Sequence, residues 1–210
     1  MSMREQIVDA AERVIRDLGL ARCTTKEIAE GAGCSEGTIY RHFRSKEDVF
    51  LAVLAERLPG LPPVLRALPE EVADEGEVRA ALQQVAEEAL AFYRESMPVL
   101  LSVFAEPRLL ERHREWTRVN DAGPQRAAEL LADYLRRAQR AGLVSRDADP
   151  AAAARLLLGA CYLTAYGGGS AVPAGGPEAP REAGAFVRQL WRTLAPAERP
   201  AAPGERRATR

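Results

Sequence analysis

Apolar positions in this chain recur every three to four residues, and no segment alternates apolar and polar over the length of a strand, so the pattern predicts an all-α protein. Ile7, Ala10, Ala11, Val14 and Leu18 stripe a first helix that stops at Gly19. Thr24 stands three residues before Glu27, the spacing of a capping box, and Ile28, Ala29 and Ala32 follow on one face, so a helix starts at Thr25. Gly31 and Gly33 close it, Gly33 being able to take a left-handed turn, and Ser35 caps a third helix in which Ile39 and Phe43 stand four apart. Ser45 caps a fourth, which carries Val49, Phe50, Val53 and Leu54.

Pro59, Gly60, Pro62, Pro63 and Pro69 then interrupt the periodicity from 59 to 74. Helical pattern resumes near Glu75 and runs to about Ser96, Pro98 opens a shorter segment through Phe104, and Leu109 to Thr117 form another. Pro124 to Ala141 is an amphipathic helix ended by Gly142, and Asp149 before Pro150 is the start signal of a further one. From Leu156 to Tyr166 that helix is apolar nearly all round, which calls for burial on all sides. A second subunit or the protomer's own core can supply it, with help from the later stripe of Phe186, Val187, Leu190, Trp191 and Leu194. Gly167 to Pro180 reads as a mobile loop and Ala195 to Arg210 as a disordered tail. The organisation expected is a small N-terminal domain over 1–58, a larger helical regulatory and dimerisation domain over 59–194, and the tail over 195–210.

Two short helices around a glycine turn, preceded by a third, are the layout of a helix-turn-helix DNA reader. The outward face of the third helix decides between a reader and a plain capped hairpin. Stepping about 100° per residue from an inward Ile39, Gly37 and Arg41 point away from the core, Thr38 and Tyr40 flank them, and no large aliphatic side chain is exposed. Glycine lets a backbone approach DNA closely, Arg41 can pair in bidentate fashion with guanine O6 and N7, and Thr38 can touch a thymine methyl or a phosphate. Tyr40, His42 and Lys46 reach for phosphates at the rim, together with Thr25 and the amides at the start of the preceding helix. Lys26, Ser35 and Glu36 complete the expected DNA-contacting set.

These residues resemble the N-terminal domain of the tetracycline-repressor (TetR) family of bacterial transcriptional regulators. The resemblance lies in Thr24 and Thr25, Ile28 and Ala29, Ala32 and Gly33, Ser35, Gly37 and Thr38, Tyr40, His42 and Phe43, and Ser45 to Glu47, over roughly residues 5 to 57. Cys34 stands where the family usually has an aliphatic residue in the turn, and it is small and hydrophobic enough for the same pocket. Glu36 departs further, since an acid at the groove-facing start of the reading helix weakens simple electrostatic binding, although it can accept from cytosine N4. The resemblance implies a repressor of transcription and a ligand pocket inside the larger domain. For that pocket the chain offers Phe92, Met97, Phe104, Trp116, Tyr134, Tyr162 and Tyr166, and no charged residue stands out as a counter-ion, which favours an uncharged, lipophilic effector. One reading helix covers only a few base pairs, so a two-fold homodimer on a near-palindromic operator is expected, with Leu156, Gly159, Leu163, Phe186, Leu190 and Trp191 at its interface.

Composition narrows the alternatives. The net charge is −1, and residues 1 to 58 hold nine Lys or Arg against ten Asp or Glu, so any signal for nucleic acid is local: Arg41, His42, Arg44 and Lys46 within six residues. Cys23, Cys34 and Cys161 have no short-range pairing pattern, which argues against a disulfide framework and for a reducing compartment. Cys23, Cys34 and His42 could be imagined as metal ligands, but Cys34 is wanted in the core and His42 at the phosphate, so no metal or other cofactor is expected. Only His42 and His113 are available as neutral-pH bases, and no phosphate loop or nucleophile motif is present, which leaves the enzyme reading poor and a DNA-free helical adaptor as the nearer rival. With no signal peptide at the N-terminus and no apolar stretch of eighteen residues, the chain is expected in the cytoplasm, without a membrane partner.

Overall fold

The computed structural model describes residues 1–19, 22–56, 61–168 and 179–196. Among them lie ten helices and no strand: α1 (Met3–Leu18), α2 (Thr25–Ala32), α3 (Glu36–His42), α4 (Lys46–Glu56), α5 (Leu61–Arg66), α6 (Glu75–Ala105), α7 (Pro107–Val119), α8 (Gly123–Arg140), α9 (Pro150–Gly168) and α10 (Ala179–Leu194). The expected domain boundary at 58, most of the expected mobile loop and nearly all of the expected tail lie outside the described residues.

Two apolar clusters hold the helices together. Ile7, Ala11, Ile15, Ile28, Ile39, Phe43, Val49 and Val53 join α1 to α4 around one core, and Leu82, Leu90, Leu131, Leu135, Leu157 and Leu194 join α5, α6, α8, α9 and α10 around the other. Each fully buried aliphatic side chain contributes roughly 1.5–3 kcal/mol. The two cores are not cleanly separated in sequence, because Val99 and Val103 from the end of α6 and Leu109 from α7 belong to the N-terminal cluster.

Two expectations need correction. The stretch from 59 to 74 is not simply a break: α5 forms within it, since Pro62 and Pro63 sit in a first turn whose amides need no intrahelical partner. Pro98 does not divide the following helix either. α6 runs unbroken for 31 residues through it. A proline in a helix interior costs about 3 kcal/mol, and here Met97, Val99 and Val103 are all buried around it, on both sides, which outweighs that cost. Of the two ways of burying the apolar helix α9, full enclosure within the protomer is not the one found. Its cap is as expected, the Asp149 carboxylate accepting from the amides of Ala151 (2.9 Å) and Ala152 (3.1 Å), and Ala154, Leu157, Cys161 and Ala165 are buried, yet Leu156 (65%), Leu163 (68%) and Tyr166 (56%) stand exposed on the other side.

Candidate nucleic-acid interface

The hairpin of α2 and α3 is built from local hydrogen bonds that its sequence specifies. The Thr24 hydroxyl accepts from the Glu27 amide at 3.3 Å while the Glu27 carboxylate accepts from the Thr24 amide at 2.6 Å and from its hydroxyl at 2.7 Å. These bonds, led by the hydroxyl's, hold the Glu27 carboxyl below the usual carboxylate range. At the other end Gly33 is left-handed (φ 65°), which directs its amide and that of Cys34 onto the last carbonyls of α2, the Cys34 amide reaching Ala29 O at 3.0 Å. Ser35 then caps α3, accepting from the Thr38 amide at 3.2 Å. Ile28, Ile39 and Phe43 face inward and Cys34 packs half-buried at the turn, so the opposite side of α3 is turned outward.

That outward side carries Glu36, Gly37, Tyr40, Arg41 and His42 exposed to solvent, with Lys26 and Ser35 exposed beside it and Thr25, Thr38 and Lys46 half-buried at its edge. All ten residues singled out in the sequence are exposed or half-buried, but they are not equally available. The Thr25 hydroxyl donates to the Glu36 carboxylate at 2.6 Å, so these two side chains engage each other across the turn. The Lys46 ammonium lies 5.1 Å from the centre of the Phe50 ring. Arg41 makes no ion pair with any described residue. A Cβ added at Gly37 would meet only the Ser35 hydroxyl, at 3.7 Å, so nothing inside the protein requires glycine there.

A second candidate site lies in the larger helical part: a cavity of about 450 Å³ among α5, α6, α7, the start of α8, and α9. Of the seven aromatic and Met residues expected to line a pocket, Phe92, Phe104 and Tyr162 do so. The other four are placed elsewhere. Met97 is buried beneath α6, Tyr134 is wholly enclosed in the α8 core with its hydroxyl unpartnered, Tyr166 is exposed on α9, and Trp116 packs against the N-terminal cluster beside Arg4 and Asp48. Helix rotation explains the split, since each of the four points from its helix away from the cavity. Tyr93, Leu110, His113, Arg114 and Thr117 were missed. The signal was present, because positions 110, 113, 114 and 117 lie on one side of the helix already expected over Leu109 to Thr117, but which side meets the cavity is decided by packing between helices.

The opposite face of α7 holds the N-terminal domain. Leu109 enters its core, and the Arg112 guanidinium donates to the Ser45 hydroxyl at 2.7 Å and pairs with Asp48, with Glu47 at 3.9 Å. Backbone and Ser45 hydrogen bonds, and to a smaller extent Arg112, keep the Glu47 carboxyl below its usual range. One helix thus touches the cavity with one face and the start of α4 with the other. Among the described residues no group of three His, Cys, Asp or Glu is placed to hold a metal ion, and no helix is long and apolar enough to cross a membrane.

Comparison with known proteins matches residues 7–53 to the family model for bacterial regulatory proteins of the tetR family. The chain is 28% identical over 142 residues to the uncharacterized HTH-type transcriptional regulator YvkB of Bacillus subtilis, covering 67% of this chain and 69% of that one. Other curated regulators match over shorter stretches, about a quarter of their own length. Among solved structures, a putative TetR-family regulator from Mesorhizobium loti superposes with a TM-score of 0.71 at 23% identity, covering 92% of this chain and 96% of that one. The SmeT–triclosan complex superposes with a TM-score of 0.65 at 24% identity over 98% of each chain; SmeT is the repressor of a Stenotrophomonas maltophilia multidrug efflux pump.

Proposed function

We propose that this chain, whose residues 7–53 match the tetR family model, is a DNA-binding transcriptional regulator of that family rather than an enzyme: it binds a near-palindromic operator as a homodimer, represses from it, and is released by a small, largely apolar molecule held in the α5–α9 cavity. The observation that carries this reading is the outward face of α3, where Arg41 is unpaired with any described residue and Gly37 leaves the backbone bare although the fold has room for a side chain. A rigid helix presenting an arginine and an open backbone suits direct readout in a major groove. Repression rather than activation rests on the family resemblance alone.

For the dimer, the exposed stripe of Leu156, Leu163 and Tyr166 on α9, with Gly159 between them, is the surface that a second copy would cover, and Phe186 and Trp191 of α10 stand half-buried. Leu190 does not belong to it. It is 9% exposed and packs in the protomer's own core, because the α10 residues spaced with it (Ala183, Val187 and Leu194) face inward.

For the switch, α7 is the mechanical link. A ligand that displaced its cavity face would act directly on the Arg112 contacts with Ser45 and Asp48 at the start of α4, and so on the separation of the two α3 helices in the dimer. Effective release needs a coupling of about 1–3 kcal/mol, and ligand affinity must fall by the same factor when operator is bound. Selecting bound fragments from a random DNA pool tests the reading: the purified protein should enrich a near-palindrome with two half-sites about one helical turn apart, and enrichment of no sequence would overturn it.

A further inference from the structure

We infer that the cavity, on the reading of it as the effector site, takes an organic acid: an apolar body against the aromatic walls, and an anionic head between His113 and Arg114. Phe92, Tyr93, Phe104 and Tyr162 give the cavity its body, and its 450 Å³ falls in the range of small-molecule sites. Among its described polar residues the basic ones are His113 and Arg114, beside the neutral Thr117, Gln125, Tyr93 and Tyr162. The His113 Nδ1 is buried without a hydrogen-bond partner, and a buried polar atom in that state is stabilised by whatever supplies one. At the next position of the same helix, about 100° further round, Arg114 borders the cavity as a permanent cation exposed to solvent and without an ion pair to any described residue.

Among the described residues no Asp or Glu lines the cavity, which leaves a cationic ligand without a counter-charge from them. The other titratable groups facing it are Tyr93 from α6, whose hydroxyl burial pushes up to about 12, and Tyr162 from α9; α5 and α8 contribute Leu61, Pro124, Gln125 and Ala127, none of them ionisable. Burial is also what lowers the pKa of His113, so the empty site holds a neutral imidazole near pH 7. An anion at Nδ1 reverses that bias, since it stabilises the imidazolium. Binding of an acid is therefore accompanied by uptake of a proton, and its affinity falls as pH rises. The uncharged effector expected from the sequence is replaced by a lipophilic acid because the two basic residues at the site lie on a side of α7 whose packing against the cavity the sequence reading did not determine.

The test compares decanoate, decanol and decylamine, which share one chain and differ in the head, by calorimetry on the full-length protein without DNA. Decanoate should bind at least about tenfold tighter than decanol, with decylamine weakest. His113→Gln and Arg114→Ala should each remove most of that preference while leaving decanol affinity unchanged, with thermal melts confirming that both variants fold. Decanoate affinity of the wild type should fall between pH 6 and pH 8, and that of His113→Gln should not. Decanol or decylamine binding as tightly as decanoate, no binding by any of the three, or a preference that survives both substitutions would overturn the assignment. The head-group comparison needs no variant, so a misfolded substitution cannot rescue it. Operator binding is then measured separately: decanoate that binds as described but leaves DNA affinity unchanged sinks the switch and not the site.

Discussion

Two helices of this protein show solvent a face that the described fold does not use, and the two faces differ in kind. On α3 the outward residues are polar or absent: Arg41, His42, Tyr40 and Gly37. On α9 they are Leu156, Gly159, Leu163 and Tyr166. Both faces have a glycine, Gly37 in the first turn of α3 and Gly159 in the middle of α9, and in a helix interior a glycine costs roughly 0.5–1 kcal/mol relative to alanine. At neither is the glycine needed from within, since an added Cβ would meet a single oxygen at 3.7 Å at Gly37 and nothing within 4 Å at Gly159. A destabilising residue that the interior does not require points to something approaching from outside. On the proposed function the partners are a groove lined with acceptors and phosphates at α3, and a dry apolar surface such as a second α9 at the other.

The comparison can be broken most forcefully at α9. Leu163→Asp should abolish the dimer without unfolding the protomer, because the side chain is already solvated, and operator affinity should drop by about 100-fold or more as the two half-sites lose their linkage. Leu190→Ala, nearby on α10, should do the reverse, costing about 2–5 kcal/mol of stability as a core deletion while leaving assembly intact below its melting point. Sedimentation and thermal melts separate the two, and a Leu163→Asp protein that remains a well-behaved dimer would remove α9 from the interface. At α3 the expected effect is smaller: Arg41→Ala should lower specific affinity by about 1–3 kcal/mol and relax preference at one base pair in each half-site. Equal affinity of wild type and variant in a gel shift on the selected operator would contradict direct readout by this residue.

Lys46→Ala probes the rim of the same face. It should weaken binding to all sequences alike and reduce the slope of log affinity against log salt by roughly one, provided that the ammonium leaves the Phe50 ring for a phosphate; an unchanged slope would mean that it stays. The smallest effect sharpens the comparison most. Gly159→Ala should raise protomer stability by about 0.5–1 kcal/mol at the expense of dimer affinity, and Gly37→Ala, in a first turn, should raise it by less, at the expense of operator affinity alone. Either substitution proving harmless to its own function would show that no close approach occurs there.

The reading hairpin was legible in the sequence almost residue by residue. Thr24 with Glu27, Gly33 and Ser35 with Thr38 act over three to five positions, so their bonds follow from spacing alone, and α2 begins at Thr25 as the spacing requires. The mutual engagement of Thr25 and Glu36 was not legible, since it depends on how the turn sets two helices against each other. The larger domain shows the same limit more broadly. Its amphipathic stripes and the Asp149 cap were visible, but not the passage of α6 through Pro98, the inward place of Leu190, or which aromatic residues face the cavity. Local hydrogen bonds and apolar spacing determine where a helix starts, where it stops and which residues share a side. Which side meets which neighbour, and therefore that α7 has one face on the cavity and the other on α4, is decided by packing between residues as far apart as Arg112 and Ser45, whose energies no local rule contains.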